Sequence, residues 1–390
     1  MRAWSPRRWA LAAVVLAAVA LKARPAAAYP QWQLSNGEGR CNTCHYAPAG
    51  GGLLTTFGRD AAGEDLSTFG GDGAFLHGAA SLPTWLALGG DLRGAFVAHD
   101  VQGSSGPTVA LFPMQADAAA RVAVPDTGLS VVTTLGLRGQ VRDPNVLVPA
   151  QNYQPTSTSR LISREHYVMY QPQAVGSYAR IGRFFAPFGL RFAEHTLYIR
   201  RDLGFGMLQE SYNFGVGAVR PEWELHLTIF GPDVVREIGS NESGAAAYYE
   251  RRVAGGSGAF ALQGRVADGP GVTRIIGGAI GKAYVEGLRT FFFAEADAVQ
   301  LRFDGAAPAT RHQLVAAAGF TVMPGKGFMG TLVGERNQVD LALSDAWTAV
   351  NAFLNWFPVA HLEVQAVGRL QYATGGATAR TFLFQLHYFL

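Results

Sequence analysis

From Trp85 to the last residue the chain repeats one pattern, short segments in which apolar and polar side chains alternate. In the stretch 361–372, Leu362, Val364, Ala366, Leu370 and Tyr372 share one face. His361, Glu363, Gln365, Arg369 and Gln371 share the other. A period of two is a strand with one greasy side and one wet side. The final segment repeats it, with Phe382, Phe384, Leu386, Tyr388 and Leu390 alternating with Leu383, Gln385, His387 and Phe389. About sixteen such segments are expected, near 85–98, 108–123, 128–141, 163–172, 176–185, 213–220, 222–230, 244–254, 257–267, 272–282, 287–303, 310–322, 328–341, 346–357, 360–372 and 379–390. Strands of roughly ten residues, polar inside and apolar outside, are the pattern of an all-β, antiparallel outer-membrane barrel. A soluble β-sandwich also alternates, but it turns its apolar face inward and needs a second packed sheet.

The connections test that reading. Every second one should be a short periplasmic turn. Pro125-Asp126, Gln173-Ala174, Arg220-Pro221, Gly255-Gly256, Tyr284-Val285, Pro324-Gly325 and Pro358-Val359 fall at or near those places, and they are rich in turn residues. The two longest connections, around 142–162 and 186–212, fall among the alternates. Composition agrees. Only 16% of residues are charged, against about 25% in soluble domains. Apolar residues are plentiful but dispersed, as in a chain that meets lipid one residue at a time.

Arg2, Arg7 and Arg8, an apolar run from Trp9 to Leu21 and the small residues Ala26-Ala27-Ala28 read as an export signal over residues 1–28. No later stretch reaches the length of a membrane-spanning helix. Residues 1–28 carry five basic residues and no acid, so without them the formal charge of +3 becomes −2. The basic balance belongs largely to the signal, and nothing supports a nucleic-acid partner. The remaining chain divides into a segment at 29–82 and a barrel at 83–390.

The segment 29–82 contains Cys41-Asn42-Thr43-Cys44-His45, and these are the only two cysteines in the chain. Cys-x-x-Cys-His is the attachment motif of a c-type haem. Two thiols two residues apart reach the two vinyl groups on one porphyrin edge. The following histidine then lies below the ring, where its imidazole ligates the iron. That thioether chemistry takes place in exported proteins, as the signal requires. Competing readings are a small redox disulfide, a zinc site completed by two distant histidines, and an inert pair. About fifty residues is too little for an independent core, so the segment should rest against the barrel and plug its lumen.

A single haem motif just after an export signal, fused to a barrel of about sixteen strands, resembles the fused monohaem cytochrome–porin proteins of the outer membrane of iron-oxidising bacteria. In that family the motif is followed by a Leu-Asn-x-Phe-Gly-Arg-like segment. The matching residues here are Cys41, Cys44, His45, Leu54, Phe57, Gly58 and Arg59, with Thr55 in place of the Asn. The architecture spans the mature chain, while the residue-level likeness is confined to about 41–59. The resemblance implies one covalent haem c and electron transfer across the outer membrane. It implies an extracellular donor such as Fe(II), and a soluble periplasmic cytochrome is the natural carrier on the other side.

The second axial ligand is open. Within 29–82 the one other histidine is His77, and there is no methionine, so a ligand from this segment must be His77. A ligand from the barrel would be Met114, His99, His166, Met169, His195 or Met207. The connection from Phe185 to Asp202 is unusually aromatic and basic for an external loop. It is expected to fold into the lumen, with Arg191, Arg200 and Arg201 near the haem propionates or an anion path. Three functions are carried forward: an electron conduit with Fe(II) as a candidate donor, a diffusion porin in which haem is a structural or sensory plug, and a barrel protein without haem.

Overall fold

The computed structural model describes residues 32–35, 39–137, 161–194, 196–206, 209–232, 241–305, 309–376 and 378–390. The expected signal, His195 and Met207 lie outside these residues.

The alternating segments form strands that all pair antiparallel: β1 (Leu86–Val101), β2 (Thr108–Ala123), β3 (Leu129–Leu137), β4 (Leu161–Tyr170), β5 (Gly176–Phe184), β6 (Ser211–Val219), β7 (Trp223–Gly231), β8 (Ser243–Val253), β9 (Gly258–Gly269), β10 (Val272–Val285), β11 (Thr290–Phe303), β12 (Thr310–Gly325), β13 (Phe328–Gln338), β14 (Ala346–Trp356), β15 (Leu362–Ala373) and β16 (Thr378–Phe389). Each pairs with its neighbour in the chain, and β1 pairs with β16 from Asp91↔Phe389 to Val101↔Ala379. The sheet is a closed sixteen-strand barrel. Closure satisfies the backbone of every strand and leaves no open edge, which is what a strand needs in order to cross lipid.

The two faces sort as the alternation requires. Leu227, Ile229, Leu262, Leu354 and Phe384 are exposed on the outside. Their sequence neighbours His226, Thr228, Gln263, Asn355 and Gln385 are buried inside. Trp85, Trp223 and Trp356 stand beside the short turns, where an aromatic girdle belongs. Among the described residues no helix is long and apolar enough to span a membrane.

The seven short turns lie on one rim, together with the start of β1 and the end of β16. Two are displaced from the expected residues. Tyr284-Val285 and Pro324-Gly325 close the ladders of β10 and β12, because Val285 pairs with Thr290 and Gly325 with Phe328. The reversals fall at Glu286–Leu288 and at Lys326-Gly327, the latter with Gly327 at φ 86°. On the opposite rim Pro270-Gly271 is also a two-residue turn.

A sixteen-strand barrel left empty holds an aqueous channel. This interior is packed. The connection between β5 and β6 runs inward, as its composition suggested. The Gly189 N–H donates to Gln263 Oε1 (2.6 Å) and the Leu190 N–H to Glu295 Oε2 (2.6 Å). Its short helix α3 (Tyr198–Arg201) sets the Tyr198 N–H on Glu335. Phe188, Phe192, Leu197, Tyr198 and Leu203 of this loop join Phe230, Tyr248, Phe291, Phe353 and Phe357 of the barrel in one buried apolar cluster. Fully burying each such side chain contributes about 1.5–3 kcal/mol, so the loop is held by packing as well as by its polar anchors.

The N-terminal segment packs against the inner wall at the short-turn rim. Trp32, Leu34 and Leu66 enter the same apolar cluster. Gln33 donates to Glu250 (2.7 Å) and accepts from Lys282 Nζ (2.6 Å). Arg252 reaches the Gly39 carbonyl (2.6 Å) and pairs with Glu224 (2.7 Å). Further along, the Thr68 and Phe69 N–H groups donate to the carbonyls of Phe357 and Pro358 at 2.8 and 2.9 Å.

Candidate cofactor site in the lumen

Cys41–Cys44 forms one turn of helix, α1. The His45 N–H closes it on the Cys41 carbonyl at 3.1 Å, and His45 makes a β-bridge with Leu54. The chain between them reverses through Gly50, Gly51 and Gly52, all at positive φ. A Cβ on Gly50 would lie 3.0 Å from Cys41 Cβ and 3.4 Å from its sulfur, so glycine leaves the thiol edge open.

The residues that carry the family resemblance form a clamp on this turn. Helix α2 (Thr56–Ala61) is N-capped by Thr55, whose hydroxyl accepts from the Gly58 N–H (3.1 Å) and donates to the Thr43 carbonyl (2.7 Å). Thr and Asn are both good N-caps, so the replacement keeps the chemistry. Gly58 lies against the turn itself, and a Cβ there would come within 2.3 Å of the Cys44 carbonyl oxygen. Arg59 is buried and reaches the Leu88 carbonyl at the start of β1. Gly58→Ala is expected to loosen this segment by about 1–3 kcal/mol, the usual range for overpacking. Limited proteolysis should show faster cleavage within 39–82 while the barrel keeps its heat-modifiable migration on gels.

Cys41, Cys44 and His45 line a cavity of about 430 Å3 between this segment, the inner wall and the inward loop. The volume lies within the range of small-molecule sites, roughly 300–1,000 Å3. The wall contributes Arg93, Arg164 and Arg180. The loop contributes Phe188, Phe192, Arg191 and Arg200. Phe188 stacks on Phe205 at 4.7 Å, and Phe192 packs against Phe293 at 4.7 Å. Arg191 bonds the Ala49 carbonyl and pairs with Glu224 at 3.2 Å, tying loop, N-terminal segment and wall together. Arg200 donates to the Phe205 carbonyl at 3.1 Å. Arg201, expected beside these two, instead pairs with Asp202 at 2.8 Å and covers the Tyr198 ring.

The two cysteines form no disulfide. Burial pushes the Cys41 thiol up, with Arg191 opposing in part. A redox dithiol needs a depressed thiol pKa, so the site does not suit a thioredoxin-like exchange. Among the described residues no group of three or more His, Cys, Asp or Glu side chains is arranged to hold a metal ion. A haem fits the donor set: two thiols and an imidazole, arginines for two carboxylates, and aromatic rings, on a lining that also carries Asp91, Asp117, Glu165 and Glu210. Sequence reasoning missed the wall arginines 93, 164 and 180. Their signal was present, since each sits at an inward position of its strand.

The structure does not bring His77 to this cavity. Leu76 and His77 both adopt left-handed backbone, at φ 52° and 54°. This turn sends His77 to the short-turn rim, where it bonds the Tyr388 hydroxyl (3.1 Å) and meets the His361 ring edge-on at 4.8 Å. Three of the alternatives are also elsewhere. His99 bonds Thr381 (2.8 Å), His166 bonds Ser163 (2.6 Å) and Tyr212 (3.1 Å), and Met169 is buried with Val132, Tyr167 and Phe184. Met114 lines the cavity.

Solved structures settle the fold class. It is that of outer-membrane barrels. OmpT of Vibrio cholerae, in its trimer form, matches with a TM-score of 0.57 at 11% identity, over 78% of this chain and 99% of that one. OprB of Pseudomonas putida gives 0.54 at 8% identity, over 78% and 94%. The outer membrane channel DcaP of Acinetobacter baumannii gives 0.52 at 13%, over 78% and 97%. No protein-family model and no curated protein matches the sequence. The closed sheet, its apolar exterior and these likenesses put the chain in an outer membrane, in contact with its lipid.

Proposed function

We propose that this protein is an outer-membrane c-type cytochrome–porin fusion that passes electrons across the membrane through one haem c on Cys41 and Cys44. The observation that carries the reading is the meeting of Cys41, Cys44 and His45 in a cavity inside the barrel wall. When bound, the haem supplies a one-electron couple. The chain does the rest. Cys41 and Cys44 would hold the haem covalently, and His45 would ligate its iron. Arg180 and Arg200 would offset the propionate charge, since Arg93, Arg164 and Arg191 are paired with Asp91, Asp117 and Glu224. The loop phenylalanines exclude water from the long-loop side. The N-terminal segment acts as a plug that keeps the centre within the thickness of the membrane. An extracellular donor such as Fe(II) and a soluble periplasmic cytochrome suit the two ends of such a path.

The second reading is a diffusion porin whose haem plug is structural or sensory. The likeness to barrels that include the channel DcaP favours it. The two separate in liposomes that hold a trapped redox dye, with Fe(II) outside, and in planar bilayers. The conduit predicts dye reduction with little ion conductance. Sustained conductance without dye reduction would favour the porin.

A further inference from the structure

We propose that Met114 is the sixth ligand of the iron that His45 holds, delivered to it by a bulge in β2. This rests on reading residues 41–45 as a haem attachment site.

Between β1 and β2, Arg93 pairs with Gln115 and Gly94 with Pro113, so Met114 is an extra residue with no partner across the ladder. The facing of β2 changes at this point. On one side of it Val109, Leu111 and Pro113 are exposed to lipid, while Ala110 and Phe112 turn inward. On the other side Gln115, Asp117 and Ala119 face inward and line the cavity. Met114 and Gln115 therefore both point into the lumen. In an unbulged strand one of the two would face lipid. Bulges re-aim side chains and recur beside functional sites.

Elimination among the described cavity-lining residues agrees. Besides His45, and apart from the carboxylates Asp91, Asp117, Glu165 and Glu210, the cavity presents His387, Lys282 and Met114 as the imidazole, amine and thioether side chains able to ligate a haem iron. Both ring nitrogens of His387 are engaged, Nδ1 with Glu363 (2.8 Å) and Nε2 with Asp91 (2.7 Å). Lys282 is held by Gln33 and Glu250. Either would have to leave a buried ion pair with carboxylates to reach the iron. A thioether makes only weak hydrogen bonds, so Met114 gives up little. A His/Met pair also raises the potential of the couple relative to a bis-His pair.

The test uses the purified holoprotein, with covalent haem confirmed by a pyridine haemochrome spectrum. The ferric wild type should be low-spin and show the far-red sulfur-to-iron charge-transfer band. Met114→Leu should lose that band, become high-spin and fall in midpoint potential. Met114→His, which keeps a ligand in place, should stay low-spin, lose the band and also fall in potential. His77→Ala should change nothing. An unchanged spectrum and potential in both Met114 variants would overturn the assignment, as would loss of the low-spin state in His77→Ala. A wild type without covalent haem fails the parent reading. A wild type with haem that is indifferent to Met114 fails the ligand assignment alone.

Discussion

Replacing both Cys41 and Cys44 by Ala is expected to abolish haem-dependent peroxidase staining of the denatured chain and to leave the barrel folded. Denaturation removes a haem held only by ligands, so staining reports the thioethers. Loss should be complete, because these are the only cysteines in the chain. The barrel should survive because the main anchors of the N-terminal segment lie outside the motif. Gln33 sits on Glu250 and Lys282, Arg252 on Gly39, and residues 68–69 on the turn at 357–358. Cys41 and Cys44 themselves add little buried apolar surface. Heat-modifiable migration should therefore be unchanged. Staining that persists in the double variant would refute covalent attachment through these residues. Loss of both staining and heat-modifiable migration would mean that the motif is needed to fold the barrel itself.

Much of the barrel is legible in the sequence because lipid and lumen impose opposite demands on successive residues. Strand β15 shows it without ambiguity, with Glu363, Gln365, Arg369 and Gln371 buried and Leu370 and Tyr372 exposed. Turn positions are less legible where a proline or glycine still pairs at a strand end, as at Pro324-Gly325. The fate of the β5–β6 loop was readable from its aromatics, since phenylalanines on an external loop would have no surface to bury against. The fate of Arg201 was not, because its partner Asp202 is its immediate neighbour and only the backbone geometry of α3 decides which way the pair turns.

The placement of His77 shows the limit most clearly. Choosing His77 by elimination assumes that residues 29–82 close their own site. The chain instead shares its cavity with the barrel, and the left-handed turn at Leu76-His77 carries that histidine to the rim. A signal for Met114 was present as a break in alternation. The outward residues of β2 are odd-numbered at Val109 and Leu111 but even-numbered at Ala118 and Val122. Such a shift inside one strand requires an extra residue, and Met114 lies at the shift.

Deleting residues 32–79 is expected to raise single-channel conductance in planar bilayers at least several-fold. The segment covers the short-turn end of a lumen that, unfilled, is wide enough for water. Its removal uncovers Glu224, Glu250, Arg252 and Lys282, all buried in the intact chain. These groups pair among themselves, Arg252 with Glu224 at 2.7 Å and Lys282 with Glu250, so the wall remains electrically satisfied and water hydrates it. The inward loop stays in place through Gln263, Glu295 and Glu335, and it sets the remaining resistance. Removing residues 187–206 as well should raise the conductance again. A barrel without this segment that stays closed would mean that the loop alone seals the lumen.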